Sequence, residues 1–144
     1  MGFTVVEKIA AARRVDPGAA GYRAGDVVHL VPDHVMSHDN SWAILVKFRA
    51  LGGRRVADPR MPVIVLDHDI QNRTPGHLAR YAAIEAFAAE QGIDFHPPGS
   101  GIGHQIVVER LYARPGGLVV ASDSHANLYG AVGAVGTPIT RSDA

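Results

Sequence analysis

Apolar positions along the chain follow two periods, one helical and one of buried strands. Thr4 with Glu7 three residues on forms a capping box, followed by Ile9, Ala10 and Arg13. This predicts a first helix, ended by Asp16-Pro17-Gly18. Asp26 to Val31 reads as a short strand stopped by Pro32. Trp42, Leu45, Phe48 and Leu51 recur at threefold spacing, predicting a helix that starts near Asp39 or Ser41 and stops at Gly52-Gly53. Met61 to Leu66 is a continuous apolar run, the pattern of a strand buried on both faces. Thr74 as cap, Pro75 at the first helical position and Gly92 past the end bound a further helix, with Leu78, Tyr81, Ile84 and Phe87 as its stripe. Residues 96–103 read as a loop, and Gln105 to Leu111 fits helix or strand. Gly117 to Ala121 is a second buried strand, and Gly130 to Thr137 is small, apolar and glycine-rich. Buried strands alternating with helices predict an α/β layered fold with a partly parallel sheet.

Composition narrows the class. A chain of 144 residues with 47% hydrophobic and 19% charged residues fills the core of one ordinary domain. Lys+Arg and Asp+Glu both count 14, so no basic field points to nucleic acid or to an anionic membrane surface. No apolar run approaches the roughly 20 residues of a membrane helix, and the first residues lack a signal-peptide pattern. These features set the expectation of a soluble cytoplasmic protein without nucleic-acid or membrane partners. Cysteine is absent, which excludes disulfides and any cysteine-ligated metal or cluster held by this chain alone.

The candidate chemistry lies where the two buried strands end. Val63–Leu66 runs into Asp67-His68, and Leu118–Ala121 runs into Ser122-Asp123-Ser124-His125. Ligands of open α/β sheets bind beyond the carboxyl ends of strands, and an adjacent carboxylate keeps an imidazole protonated as a general acid. The alternative is that these residues only cap turns. His104 follows a glycine-rich stretch, Gly99 to Gly103, which either wraps an anion with its N–H groups or is a bare turn. Its glycine spacing is not that of a dinucleotide fingerprint. His34 and His38 have a metal-binding spacing if helical, but lack a His-Glu-x-x-His pattern and a third ligand. Ser124 beside His125 suggests a hydrolase nucleophile but lacks the Gly-x-Ser-x-Gly elbow.

Five segments in order resemble the N-terminal part of the aconitase family, nearest the large subunits of 3-isopropylmalate dehydratase and homoaconitase. They are Thr4–Ile9, Val35–Asn40, Val65–His68, Gly99–Gln105 and Pro115-Gly116-Gly117 through Asp123-Ser124-His125. The resemblance implies a layered αβα domain, of which residues 1–144 form the incomplete N-terminal portion. It also implies a hydro-lyase that removes and adds water on hydroxy di- or tricarboxylic acids through a [4Fe–4S] cluster. By the same resemblance Asp67 orients His68, which protonates the departing hydroxyl. His104 is a second active-site histidine with Asp123 as its carboxylate partner, His125 completes the catalytic set, and His38 and Ser124 contact substrate. A poor leaving group such as hydroxide needs a Lewis acid and a proton donor together, in agreement with those roles.

Two departures stand out. Ala126 follows Asp123-Ser124-His125 where the family usually has Thr. The family's cluster cysteines, substrate-binding arginines and serine base belong to later regions. The expected partners are therefore the remainder of the large subunit and a small swivelling domain. Two other classes compete: a non-catalytic small-molecule binding or assembly module, and a stand-alone histidine-metal hydrolase. Ser142 or Asp143 reads as the cap of a helix that does not follow, and residues from about Gly117 on are expected to leave an apolar surface uncovered.

Overall fold

The structure, a computed structural model, describes residues 2–16 and 22–143. Its elements are α1 (Val5–Ala12), β1 (His34–Ser37), α2 (Ser41–Ala50), β2 (Pro62–Val65), α3 (Pro75–Gln91), β3 (Asp94–His96), α4 (Gly103–Glu109), β4 (Leu118–Ala121), a 3₁₀ helix (Ala126–Val132) and β5 (Val135–Pro138).

Local chemistry accounts for the helices. The Thr4 hydroxyl accepts from the Glu7 N–H while the Glu7 carboxylate accepts from the Thr4 N–H, so both halves of the predicted capping box form. Proline opens α3, and Gly92 closes it in the left-handed conformation, at φ 73°. Thr74 caps that helix by backbone conformation only; its hydroxyl donates to Asn72 Oδ1. The predicted stop of the first helix at Asp16-Pro17-Gly18 falls partly outside the described residues.

The sheet order is β3-β2-β1-β4-β5, and every pairing is parallel. The expected α/β layering with parallel pairing is thus present, and the parallel pairing extends to all five strands; among the described residues the one antiparallel contact is an isolated bridge between Arg14 and Leu30. That bridge lies where a strand was expected at Asp26–Val31. Val27 is exposed there, whereas the real strand begins beyond Pro32 and pairs on both sides. Proline, having no N–H, precedes the ladder instead of ending it.

From β1 the chain steps outward to β2 and β3, then returns across the sheet to β4 and β5. Right-handed crossovers put α2 and α3 on one face, and α4 and the 3₁₀ helix on the other. The core follows that division. Ile64 and Leu66 pack with Tyr81, Ile84 and Ala88, while Val63 and Val65 meet Ile106 on the opposite face. Met36, Val119 and Ala121 join Val107, Ala126 and Tyr129 under the 3₁₀ helix. A sheet covered on both faces needs strands without polar alternation, as β2 and β4 have.

The C-terminal quarter is better covered than its composition suggested. Leu118, Val119, Ala121, Tyr129 and Ala134 are buried, and Leu128 is the large apolar side chain left exposed there, at 51%. Asp143 accepts from the Thr140 N–H and hydroxyl in a turn over residues 140–143. Among the described residues no helix is long and apolar enough to cross a membrane.

Candidate active site

Strand order fixes the location of the crevice. The loop leaving β1 turns toward α2 and the loop leaving β4 turns toward the 3₁₀ helix, so these adjacent parallel strands diverge at their carboxyl ends. His38-Asp39-Asn40 line one wall and Ser122-Asp123 the other. Asn40 Nδ2 donates to the Ser122 carbonyl at 2.8 Å, and the Ser122 hydroxyl donates back to Asn40 Oδ1 at 2.9 Å. This reciprocal pair sets the width of the crevice floor.

Asp123 is the hub. Its Oδ1 accepts from His104 Nε2 at 2.8 Å, from the His125 N–H at 2.8 Å and from His125 Nδ1 at 2.9 Å. Its Oδ2 faces His68 Nε2 at 3.6 Å and His38 Nε2 at 4.0 Å. Burial pushes this carboxyl up, but the His125 N–H and the His104 and His125 imidazoles more than reverse that, holding it well below the usual carboxylate range. Behind His104, the hydroxyl of the fully buried Tyr129 lies 2.8 Å from Nδ1. Burial, then the charges of Asp123 and Asp67, raise the Tyr129 phenol far above its ordinary value, so it remains an O–H donor.

The second pair comes from the exit of β2. His68 Nδ1 donates to Asp67 Oδ1 at 2.6 Å, and Asp67 Oδ2 accepts from the Gly103 N–H at 2.5 Å. The anion bound at this end of the glycine-rich stretch is therefore the protein's own Asp67. A Cβ at position 103 would lie 2.9 Å from Asp67 Oδ2, which is why glycine stands there. Burial depresses the His68 pKa, but the hydrogen bond and charge of Asp67, with the charges of Asp39 and Asp123, raise it above its ordinary 6.5. With its side chain 47% exposed, His68 presents its ring to the crevice, and the surrounding carboxylates favour its protonated form.

His38 stacks on His68 at 4.0 Å between centroids, and its Nε2 lies 3.2 Å from the Ser122 carbonyl. His125 is 77% exposed at the rim, and Ser124 lies exposed on the turn beside it. The structure thus brings Asp67, His68, His104, Asp123, His125 and His38 together and leaves Ser124 at the edge. His125 Nδ1 is engaged by Asp123 rather than by Ser124, so the hydrolase pairing has no geometric support. His34 opens β1 and His38 follows its last residue, about 13 Å away by strand rise, so their spacing makes no metal site.

Sequence reasoning missed Asp39, Asn40, Ser122, Tyr81 and Tyr129 as site components. Asn40 and Ser122 could have been flagged as strand-exit polar residues. Tyr81 and Tyr129 carry apolar-stripe signals that hide their hydroxyls.

The fold is an open parallel α/β sheet whose carboxylate–histidine pairs gather at its switch point, the place where such sheets bind ligands. Residues 7–144 match the sequence profile of the aconitase family (aconitate hydratase), and the chain belongs to that family. It is similar to mitochondrial homoaconitase of Candida parapsilosis, 55% identical over 99% of this chain and 21% of that protein. The same named enzyme of Candida glabrata is 59% identical over 84% of this chain and 18% of its own length. That of Aspergillus niger is 50% identical over 98% and 18%. The chain therefore spans about a fifth of the length of the curated relatives it matches. These relatives are named as mitochondrial, which overturns the expectation of a cytoplasmic location. Targeting segments are cleaved from a protein and take no part in its fold, so core patterning carries no record of compartment.

Proposed function

We propose that this chain supplies the acid–base wall of a hydro-lyase site of the homoaconitase type, acting on a small hydroxy di- or tricarboxylic acid. The observation that carries this is the Asp67–His68 pair, held at 2.6 Å and aimed with its free Nε2 into the crevice opposite Asp123. His68 Nε2–H gives its proton to the substrate hydroxyl as the C–O bond breaks and water leaves, while a base from outside residues 1–144 takes the proton of the adjacent carbon and the freed C–H electron pair forms the C=C bond. Asp67 stabilises the imidazolium beforehand and holds the ring in the tautomer that presents Nε2. His104, fixed between Asp123 and Tyr129, keeps the Asp123 carboxylate oriented toward His68. The exposed His125, whose Nδ1 is held by Asp123, stands where a substrate carboxylate would meet its Nε2–H, His38 backs the His68 ring with its own Nε2 at the Ser122 carbonyl, and Ser124 borders the same turn.

The family implies a [4Fe–4S] cluster in the complete enzyme. The side-chain donors gathered here are histidine and aspartate, and the sequence has no cysteine, so these residues do not fit a thiolate-held cluster. Its ligands belong to sequence outside residues 1–144, as do the expected partners, the remainder of the large subunit and a swivelling domain.

The test is a chimera in which residues 7–143 replace the matching segment of the Candida parapsilosis homoaconitase. Hydration of homoaconitate, followed by loss of alkene absorbance, is expected in the chimera and not in the isolated chain, even after anaerobic iron–sulfur reconstitution. A folded, cluster-loaded chimera with no turnover would favour a non-catalytic binding module.

A further inference from the structure

Asp39 stands at the exit of β1, and its carboxylate reaches three other places in the fold. Oδ2 accepts from the backbone N–H groups of Asp67 at 3.1 Å and His68 at 2.8 Å, and Oδ1 accepts from the Asp69 N–H at 3.2 Å. Oδ1 also accepts from the hydroxyl of Tyr81, a buried residue of α3. The whole turn after β2 is therefore wrapped around one side chain from the neighbouring strand. Consecutive N–H groups converging on an anion form a nest, here filled from within the protein.

That arrangement has two consequences at the site. Fixing the backbone of residues 67–69 fixes the side chain of Asp67 relative to His68 and to the Gly103 N–H. It also sets a negative charge 3.9 Å from His68 Nδ1. From the geometry we infer that Asp39 is a positioning residue, which sets both the orientation and the protonation of His68, with Tyr81 holding Asp39 in place. This rests on the reading of His68 as proton donor but is measurable without catalysis. The groups facing His68 are Asp67 on its own turn, His38 and Asp39 from the loop leaving β1, and Asp123 from the loop leaving β4, whose other oxygen is engaged by His104 on α4. Asp39 itself stays ionised: burial opposes this, but His38 and the three N–H groups hold its carboxyl far below the usual range.

The experiment follows His68 by ring-carbon NMR in the 144-residue chain, together with amide hydrogen exchange of residues 67–69. In the unmodified chain these amides are expected to be protected despite the exposure of His68 and Asp69. Asp39→Asn is expected to release that protection and to lower the His68 titration midpoint by at least about 0.5–1 unit, the effect of one charge at this distance when fully screened by water. Asp39→Glu keeps the charge but displaces it, so the midpoint stays closer to the original while the amides lose protection. This variant decides the matter if Asp39→Asn does not fold. Freely exchanging amides in the unmodified chain, or an unchanged His68 midpoint in folded Asp39→Asn, overturns the inference. In the chimera, Asp39→Asn is expected to lower kcat more than it changes KM and to move the basic limb of the pH profile downward. A shifted His68 midpoint with unaltered kcat supports the positioning role and instead refutes His68 as the proton donor.

Discussion

Replacing Tyr129 by Phe removes one oxygen from the core and tests the logic of the site. A carboxylate only accepts, so the 2.8 Å contact between Asp123 and His104 requires the proton on Nε2. In its neutral form the ring then has Nδ1 as an acceptor, and the Tyr129 hydroxyl at 2.8 Å donates to it. Tyr129 is fully buried and His104 nearly so, so no water replaces the missing hydroxyl without a rearrangement. The ring volume is otherwise kept, so the cost is that of one unsatisfied buried acceptor, about 1–2 kcal/mol. For a domain of this size that corresponds to a fall in Tm of about 3–8 °C. Thermal denaturation of the 144-residue chain measures the stability, and long-range ¹H–¹⁵N correlation of the imidazole measures the tautomer. Tyr129→Phe is expected to lower the Tm and to move the Nδ1 resonance of His104 toward that of an acceptor without a donor, while the Nε2–H held by Asp123 persists. An unchanged Tm with an unchanged Nδ1 resonance would refute the argument that Tyr129 holds this ring.

In the chimera, His68→Ala is expected to cut turnover by about 10²–10⁴-fold, the usual cost of a positioned acid, with Asp67→Asn reproducing part of the loss. Steady-state kinetics separating kcat from KM checks both, and near-normal kcat removes His68 from the mechanism. Gly136→Ala would bring a Cβ within 2.0 Å of the Ala126 carbonyl oxygen, a clash with backbone, and is expected to destabilise by about 3 kcal/mol or more in urea denaturation. Stability against pH has two limbs. His68 is raised, so its contribution is full below 6.5 and is lost as pH rises through its folded value. Asp39 and Asp123 are depressed, so theirs are full above the ordinary carboxylate range and are lost as pH falls toward their folded values. Urea midpoints measured across pH should show His68→Gln flattening the basic limb and Asp123→Asn the acidic one.

The sequence by itself determined those features whose causes are local. The Thr4–Glu7 capping box, the Pro75 start and Gly92 stop of α3, and the apolar runs of β2 and β4 are each specified within a few residues, and all form. The Asp-His pairs at the strand exits were legible for the same reason, since chain order alone puts them there. Only the tertiary structure decided which strands are neighbours. Val35-Met36 is too short a run to announce a central strand, and β3 is three residues long; both are strands because flanking ladders supply their hydrogen bonds. The placement of β1 against β4 is a long-range choice, with 80 residues between their ends, and it brings His38 and Asp39 up to Asp123 and His68. The same choice gives hydroxyls and carboxylates of apolar or turn-like stretches, Tyr81, Tyr129 and Asp39, their partners. A hydrogen bond to a residue tens of positions away leaves no period and no local motif in the chain, so its donor and acceptor could be recognised only once the sheet had been assembled.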